Sequence, residues 1–175
     1  MTLIATAIAA ATVWAVPGDR ASAATGGPVM DPKEDSAPCL AAVAANDADR
    51  IIAICGALID NDKTARADRV KALIARGGAW DSRDRIDRAI ADYDTALRLD
   101  PTLADIFNIR GELWRRKGDR PRALADFGAA IKLNPRHEAA RANHRSLAQE
   151  LERLGAQMAI KNKASPSLKS SPLLK

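Results

Sequence analysis

The residues best equipped for chemistry in this chain are two cysteines, Cys39 and Cys55, and two histidines, His137 and His144. The spacing of 16 between the thiols is too wide for a CxxC redox pair, and too few other ligands lie nearby for a metal centre. An even count behind a signal-like start favours a disulfide over the alternative, two buried free thiols acting as small hydrophobes. If the cysteines sit one on each arm of a helical hairpin, closing that loop stabilises by about 3 kcal/mol on the chain-entropy model. The histidines lie seven apart on a predicted helix, and no third ligand follows at metal spacing, so exposed polar histidine is the expected role. No glycine-rich phosphate loop, HExxH or GxSxG occurs. Aspartate and glutamate are plentiful, but they alternate with bases and form no identifiable pair. No constellation supports an enzyme, a metal site or a cofactor.

The elements that must position any functional surface are helical. The 175 residues suit one domain, and a 47% apolar share is enough to bury a core. Aromatics make up only 3%, and no segment alternates apolar and polar residues for long. Abundant alanine favours helix and lets helix axes approach closely. The expected fold class is all-α.

Residues 1–23 read as a signal peptide cleaved after Ala23. Leu3 to Val16 is an uncharged run of 14 residues, Pro17 and Gly18 break it, and Ala21-Ser22-Ala23 has the small-x-small pattern of a peptidase site. The run is about 21 Å long as a helix, short of the roughly 30 Å of a bilayer core. It departs from the usual signal in having no Lys or Arg ahead of the run, and an Ala-rich unstructured tail is the alternative. The mature protein is therefore expected in a bacterial periplasm or secreted, with no membrane span.

The formal charge is +5, but residues 161–175 hold Lys161, Lys163, Lys169 and Lys175 with no acid. Setting these four aside leaves about +1 for residues 24–160, in which both signs are densely mixed. A nucleic-acid binder carries its positive charge on a face of the folded body. No nucleic-acid partner is expected, and the mixed runs read as solvated helix faces.

Residues 70–103 and 104–137 are two copies of one 34-residue pattern. Arg76, Gly77, Trp80, Ala89, Ala91, Tyr93, Ala96, Leu99 and Pro101 fall on Arg110, Gly111, Trp114, Ala123, Ala125, Phe127, Ala130, Leu133 and Pro135. Helices are predicted over Pro38–Asn46, Ala48–Asp60, Ala65–Trp80, Asp84–Leu99, Thr102–Lys117, Asp119–Leu133 and Arg136–Ile160. Asp100-Pro101 and Asn134-Pro135 end the second helix of each pair. Asp119 can N-cap its helix, with Pro121 in the first turn, where a missing N–H costs nothing.

This pattern resembles the tetratricopeptide repeat (TPR), a helix–turn–helix unit of the same length with W-x2-L-G-x2-Y, then A-x3-F, then P. Gly77, Trp80, Ala89, Tyr93, Ala96 and Pro101 match it. Phe107, Gly111, Trp114, Ala123, Phe127, Ala130 and Pro135 match again. Leu73 and Phe107 stand at the Trp position, Arg76 and Arg110 at the Leu position, and Trp twice at the Tyr position. The resemblance implies a short right-handed superhelix of hairpins, in which the glycines and Ala89 and Ala123 permit close helix approach and the aromatics fill the space between neighbouring hairpins.

Residues 49–55 resemble 87–93 at a shift of 38, implying a degenerate first repeat over 37–69. Cys55 would then hold the aromatic position and Cys39 the Gly77 position, facing each other. Residues 24–36 read as a flexible leader, 138–160 as a capping helix over the last apolar face, and 161–175 as a low-complexity tail.

The resemblance also implies that the first helix of each hairpin lines a concave groove for a protein or peptide partner. Lys71, Ile74, Gly78, Asp105, Asn108, Glu112 and Arg115 would face it. Some relatives clamp a partner's C-terminal carboxylate with Lys, Asn and Arg, but Ile74 and Gly78 occupy the first two clamp positions here, so that specificity is not implied. The expected function is an exported, non-catalytic adaptor. The alternative makes the basic tail a tether to a membrane surface or polyanion, worth about 1 kcal/mol per charge near a membrane, with the repeats as spacer.

Overall fold

The computed structural model describes residues 36–164. The expected signal peptide with its cleavage after Ala23, the leader as far as residue 35, and tail residues 165–175 lie outside the described residues. Seven helices occupy the described chain: α1 (Ala37–Ala44), α2 (Ala48–Asp60), α3 (Arg66–Ser82), α4 (Ile86–Leu99), α5 (Ala104–Arg116), α6 (Arg120–Leu133) and α7 (Glu138–Ala164). Each packs chiefly on its neighbours in sequence, α2 against α3, α3 against α4 and α5 against α6. Among the described residues no helix is long and apolar enough to cross a membrane. The architecture is an all-α superhelix of hairpins. α7 runs four residues beyond its expected end at Ile160, so Lys161 and Lys163 belong to its last turn rather than to the low-complexity tail. Nothing breaks a helix before Ser165-Pro166, and cations suit a helix C-terminus.

The repeated small and aromatic residues are explained inside each hairpin. Tyr93 lies so close to α3 that a Cβ on Gly77 would stand 2.7 Å from its Cε1. Phe127 meets Gly111 in the same way, again at 2.7 Å. Ala89, Ala96, Ala123 and Ala130 are fully buried, because a larger side chain would push the helices apart. Tyr93 also reaches forward into a core shared with Ile106 and Leu113 of the next hairpin, and Phe127 into one shared with Leu147 of α7. Trp80 and Trp114 pack against the rims of these shared cores. They are only half-buried, and arginines lie over their rings, Arg88 at 4.5 Å and Arg122 at 4.5 Å.

Burial pushes the Tyr93 phenol up to about 12, with Asp81 and Asp92 adding to the shift. Tyr93 is the chain's one tyrosine, so alkaline difference spectroscopy reads it directly. Folded protein is expected to ionise near pH 12, and urea-unfolded protein near the ordinary value of about 10. Because the folded state holds the proton more tightly, the stability from this group is present below pH 10 and lost as pH rises from about 10 to 12. Ionisation of the folded protein near pH 10 would mean that the ring is hydrated.

The mixed charges are not all on solvated faces, which corrects the expectation. Arg76 forms a bidentate pair with buried Asp92, Nε to Oδ2 at 2.9 Å and Nη2 to Oδ1 at 2.7 Å. Arg110 repeats it with Asp126 at 2.8 and 2.6 Å, and also reaches back to Asp94 in the preceding hairpin at 2.6 Å. These contacts raise both guanidinium pKa values, the Asp92 and Asp126 hydrogen bonds being the main causes. Arginine at the motif's Leu position thus ties the two helices of a hairpin together.

Cys39 and Cys55 are buried and joined as a disulfide between α1 and α2, their Cα atoms 5.0 Å apart. α1 is a helix of only 8 residues with Leu40 and Val43 exposed. Too little apolar area holds it for packing alone to keep it seated. Reduction, or Cys55→Ser, is expected to cost about 3 kcal/mol and to free α1 first, which hydrogen exchange would show as lost protection confined to residues 37–46. Uniform loss across all helices would refute the local view.

Candidate binding groove

α1, α3 and α5 are the first helices of the three hairpins and α7 follows them, touching α5, and the residues expected to line a groove fall into separate zones. The first zone is a cleft of about 560 Å³ between the opening turns of α3 and the α4–α5 connection. Arg66, Ala67, Val70, Lys71 and Ile74 line one side, and Leu99, Asp100, Pro101 and Leu103 the other. The connection is held in shape. The Arg66 guanidinium donates to the Leu99 carbonyl. Asp100 accepts the Thr102 hydroxyl at 2.6 Å and its N–H at 3.0 Å, which holds its carboxyl below the usual range. Pro101 then forbids further helix. The cleft wall is therefore rigid, with an apolar floor of Val70, Ile74, Leu99 and Leu103 and a cationic rim of Arg66 and Lys71.

The second zone is polar and lies between α5 and α7. Asn143 of α7 donates to Glu112 Oε1 at 2.7 Å and to Asn108 Oδ1 at 3.1 Å, and Asn108 donates to Glu112 at 3.2 Å. His137 opens α7, its Nδ1 accepting the Ala140 N–H at 3.4 Å, and its Nε2 stands 3.1 Å from Asp105 Oδ1. The His137 side chain is 11% exposed and Asp105 87%. Exposed polar histidine is thus wrong for His137, which is a buried element of the α5–α7 junction. The third zone is the far end of α5, where Arg115 is exposed and makes no ion pair among the described residues.

The sequence-derived set therefore separates. Lys71 and Ile74 come together in the apolar cleft, and Gly78 lies exposed further along α3. Asp105, Glu112 and Arg115 spread along α5. Asn108, expected on the wall, is 6% exposed and committed to Glu112 and Asn143, so it supports the wall rather than presenting a surface. Sequence reasoning missed Arg66, Val70, Leu99, Leu103 and Asn143. Leu99 carried a signal, since it matches Leu133 in the repeat. Asn143 carried none, because α7 has no repeated counterpart.

No family model matches the chain, and no curated protein does. Solved structures do. A TPR domain of OM64 from Arabidopsis superposes with a TM-score of 0.57 at 18% identity, covering 64% of this chain and 89% of that one. The first TPR domain of Spaghetti (RPAP3), bound to the HSP90 peptide SRMEEVD, superposes with a TM-score of 0.58 at 18% identity, covering 69% of this chain and 98% of that one. The fold is that of TPR domains.

Proposed function

We propose that this chain is a non-catalytic adaptor that binds a protein or peptide partner along the wall of α3, α5 and α7, outside the cytoplasm. The observation that carries the reading is the open apolar cleft at Val70, Ile74, Leu99 and Leu103. Its walls are fixed by hydrogen bonds in the absence of a partner, so little ordering cost opposes binding. A pocket of this size and lining suits one or two apolar side chains of a segment whose polar groups continue along Asp105, Glu112 and Arg115. The superposed RPAP3 domain holds a peptide, which supports a peptide-binding use of the fold. Export is supported by the signal-like residues 1–23 and by the Cys39–Cys55 disulfide, since oxidising compartments keep such bonds.

The test is in-cell cross-linking of tagged protein in its native host, comparing wild type with Ile74→Glu, with Asp105, Glu112 and Arg115 changed together to Ala, and with a chain ending at Ala164. Ile74→Glu places a charge on the cleft floor and is expected to lower recovery of the principal exported partner at least about tenfold, a loss of some 1.4 kcal/mol. The triple variant should weaken recovery less, and truncation should leave it unchanged. Recovery of cytosolic proteins alone would refute export. Retention by Ile74→Glu with loss on truncation would transfer the function to the basic tail.

A further inference from the structure

The three turns that join the helices of each hairpin share one design, and the middle one departs from it. Asn46, Asp84 and Gly118 take positive φ, at 50°, 55° and 82°, and the next residue opens the second helix. In the first and third turns that residue is an aspartate. Asp47 accepts the Arg50 N–H and Asp119 the Arg122 N–H, both at 3.1 Å. Asp119 also lies 3.4 Å from the Arg122 guanidinium. In the middle turn the position is Arg85, which makes no side-chain cap, so Arg88, the counterpart of Arg50 and Arg122, has an arginine rather than an acid three residues before it. Arginine here forgoes a cap and places a cation at the positive end of a helix. A local rule broken without a folding gain points to a use outside folding.

What the exchange creates is a pocket of about 410 Å³ at the end of α3 opposite the apolar cleft, bounded by Arg83, Arg85, Arg88, Trp80, Ile52 and Asp49. Its one acid, Asp49, is held by Arg83 at 2.7 Å. Arg88 lies over Trp80, and neither it nor Arg85 makes an ion pair among the described residues. Two guanidinium groups free of any such ion pair therefore line one pocket with Ile52 and Trp80, that of Arg88 resting on the Trp80 ring.

We propose that this pocket binds an acidic segment of a partner protein, a carboxylate side chain against Arg85 and Arg88 with an apolar neighbour on Ile52 and Trp80. Planar guanidinium groups match carboxylates in bidentate geometry. The adjoining cleft that shares Arg85 and Arg88 adds Asp84, Asp87 and Lys117, with Asp84 paired to Arg116 and Asp87 to Lys117. The unpaired positive charge is thus confined to Arg85 and Arg88 and suits a short acidic segment better than a long polyanion. The site lies apart from the groove and does not depend on it.

Arg85→Asp restores the Asp-x-x-Arg arrangement of the other two turns, so it tests the idea without weakening the fold. The probe is a fluorescein-labelled peptide of alternating glutamate and leucine, followed by anisotropy against its glutamine–leucine counterpart, single-stranded DNA and phosphatidylserine vesicles. Wild type is expected to bind the glutamate peptide at least about tenfold more tightly than the glutamine one. Arg85→Asp should lose about tenfold while its thermal midpoint rises, and Arg153→Ala, which removes an exposed cation of α7 outside both pockets, should bind as wild type does. The proposal is overturned if wild type does not bind the glutamate peptide, if Arg85→Asp binds it equally well, or if DNA or vesicles bind more tightly.

Discussion

Arg110→Met is expected to destabilise the protein by about 3–5 kcal/mol, although the substitution is apolar and close in length. Arg110 meets Asp126 through two hydrogen bonds and Asp94 through a third. Asp126 is 6% exposed, so removing the guanidinium leaves a carboxylate with neither partner nor water. That uncompensated charge, rather than the lost attraction, dominates the cost. Two comparisons isolate it. Arg110→Met with Asp126→Leu removes both charges and should recover most of the loss, since replacing a buried pair by apolar groups is often neutral. Arg83→Ala breaks the pair with Asp49, which is exposed on both sides, and should cost under about 1 kcal/mol. Urea denaturation of the four proteins decides the matter. A single-variant loss under about 1 kcal/mol would place Asp126 in contact with water.

The same pair shows where sequence reasoning reached and where it stopped. Helix number, order and hairpin pairing were legible because the 34-residue period forces small, aromatic and proline residues into fixed places. The disulfide was legible from the even cysteine count behind a signal-like start, and the resemblance of α2 to α4 set the two thiols facing each other. The buried ion pairs were missed although Arg76 and Arg110 recur at that period, and Asp92 and Asp126 with them. Counting charges along a run treats each as a surface residue, whereas an arginine sixteen positions before a repeated aspartate is a pair across the hairpin. His137 and Asn143 had no such signal. They lie beyond the repeat, and only the seating of α7 on α5 buries them. The groove divided for a related reason. First-helix spacing says which residues face one way, but the apolar cleft also depends on Leu99 and Leu103, which the α4–α5 connection brings in from outside that helix.

Phe127→Ala is the second large effect, about 3–5 kcal/mol, and its reasoning extends to Gly111. Phe127 is fully buried, joins α6 to the core shared with α7 through Leu147, and presses its ring edge against Gly111. Truncation leaves a cavity lined by two helices already held apart by their backbones, so little can collapse into it. Gly111→Ala acts on the same contact from the other side. In an exposed helix this change stabilises by about 1 kcal/mol, but here the new methyl would lie 2.7 Å from the ring and 3.2 Å from the Ala123 carbonyl. Overpacking should reverse the sign and destabilise by about 1–3 kcal/mol. Gly155→Ala supplies the control. Nothing lies within 4 Å of its added methyl, so it should show the propensity gain alone. Adding Phe127→Leu to Gly111→Ala should cost less than Phe127→Leu costs in the wild type, because the shorter side chain relieves the clash. If Gly111→Ala instead stabilises as Gly155→Ala does, the two helices can separate by several tenths of an ångström without penalty. The glycine repeated at Gly77 and Gly111 would then need an explanation other than close packing.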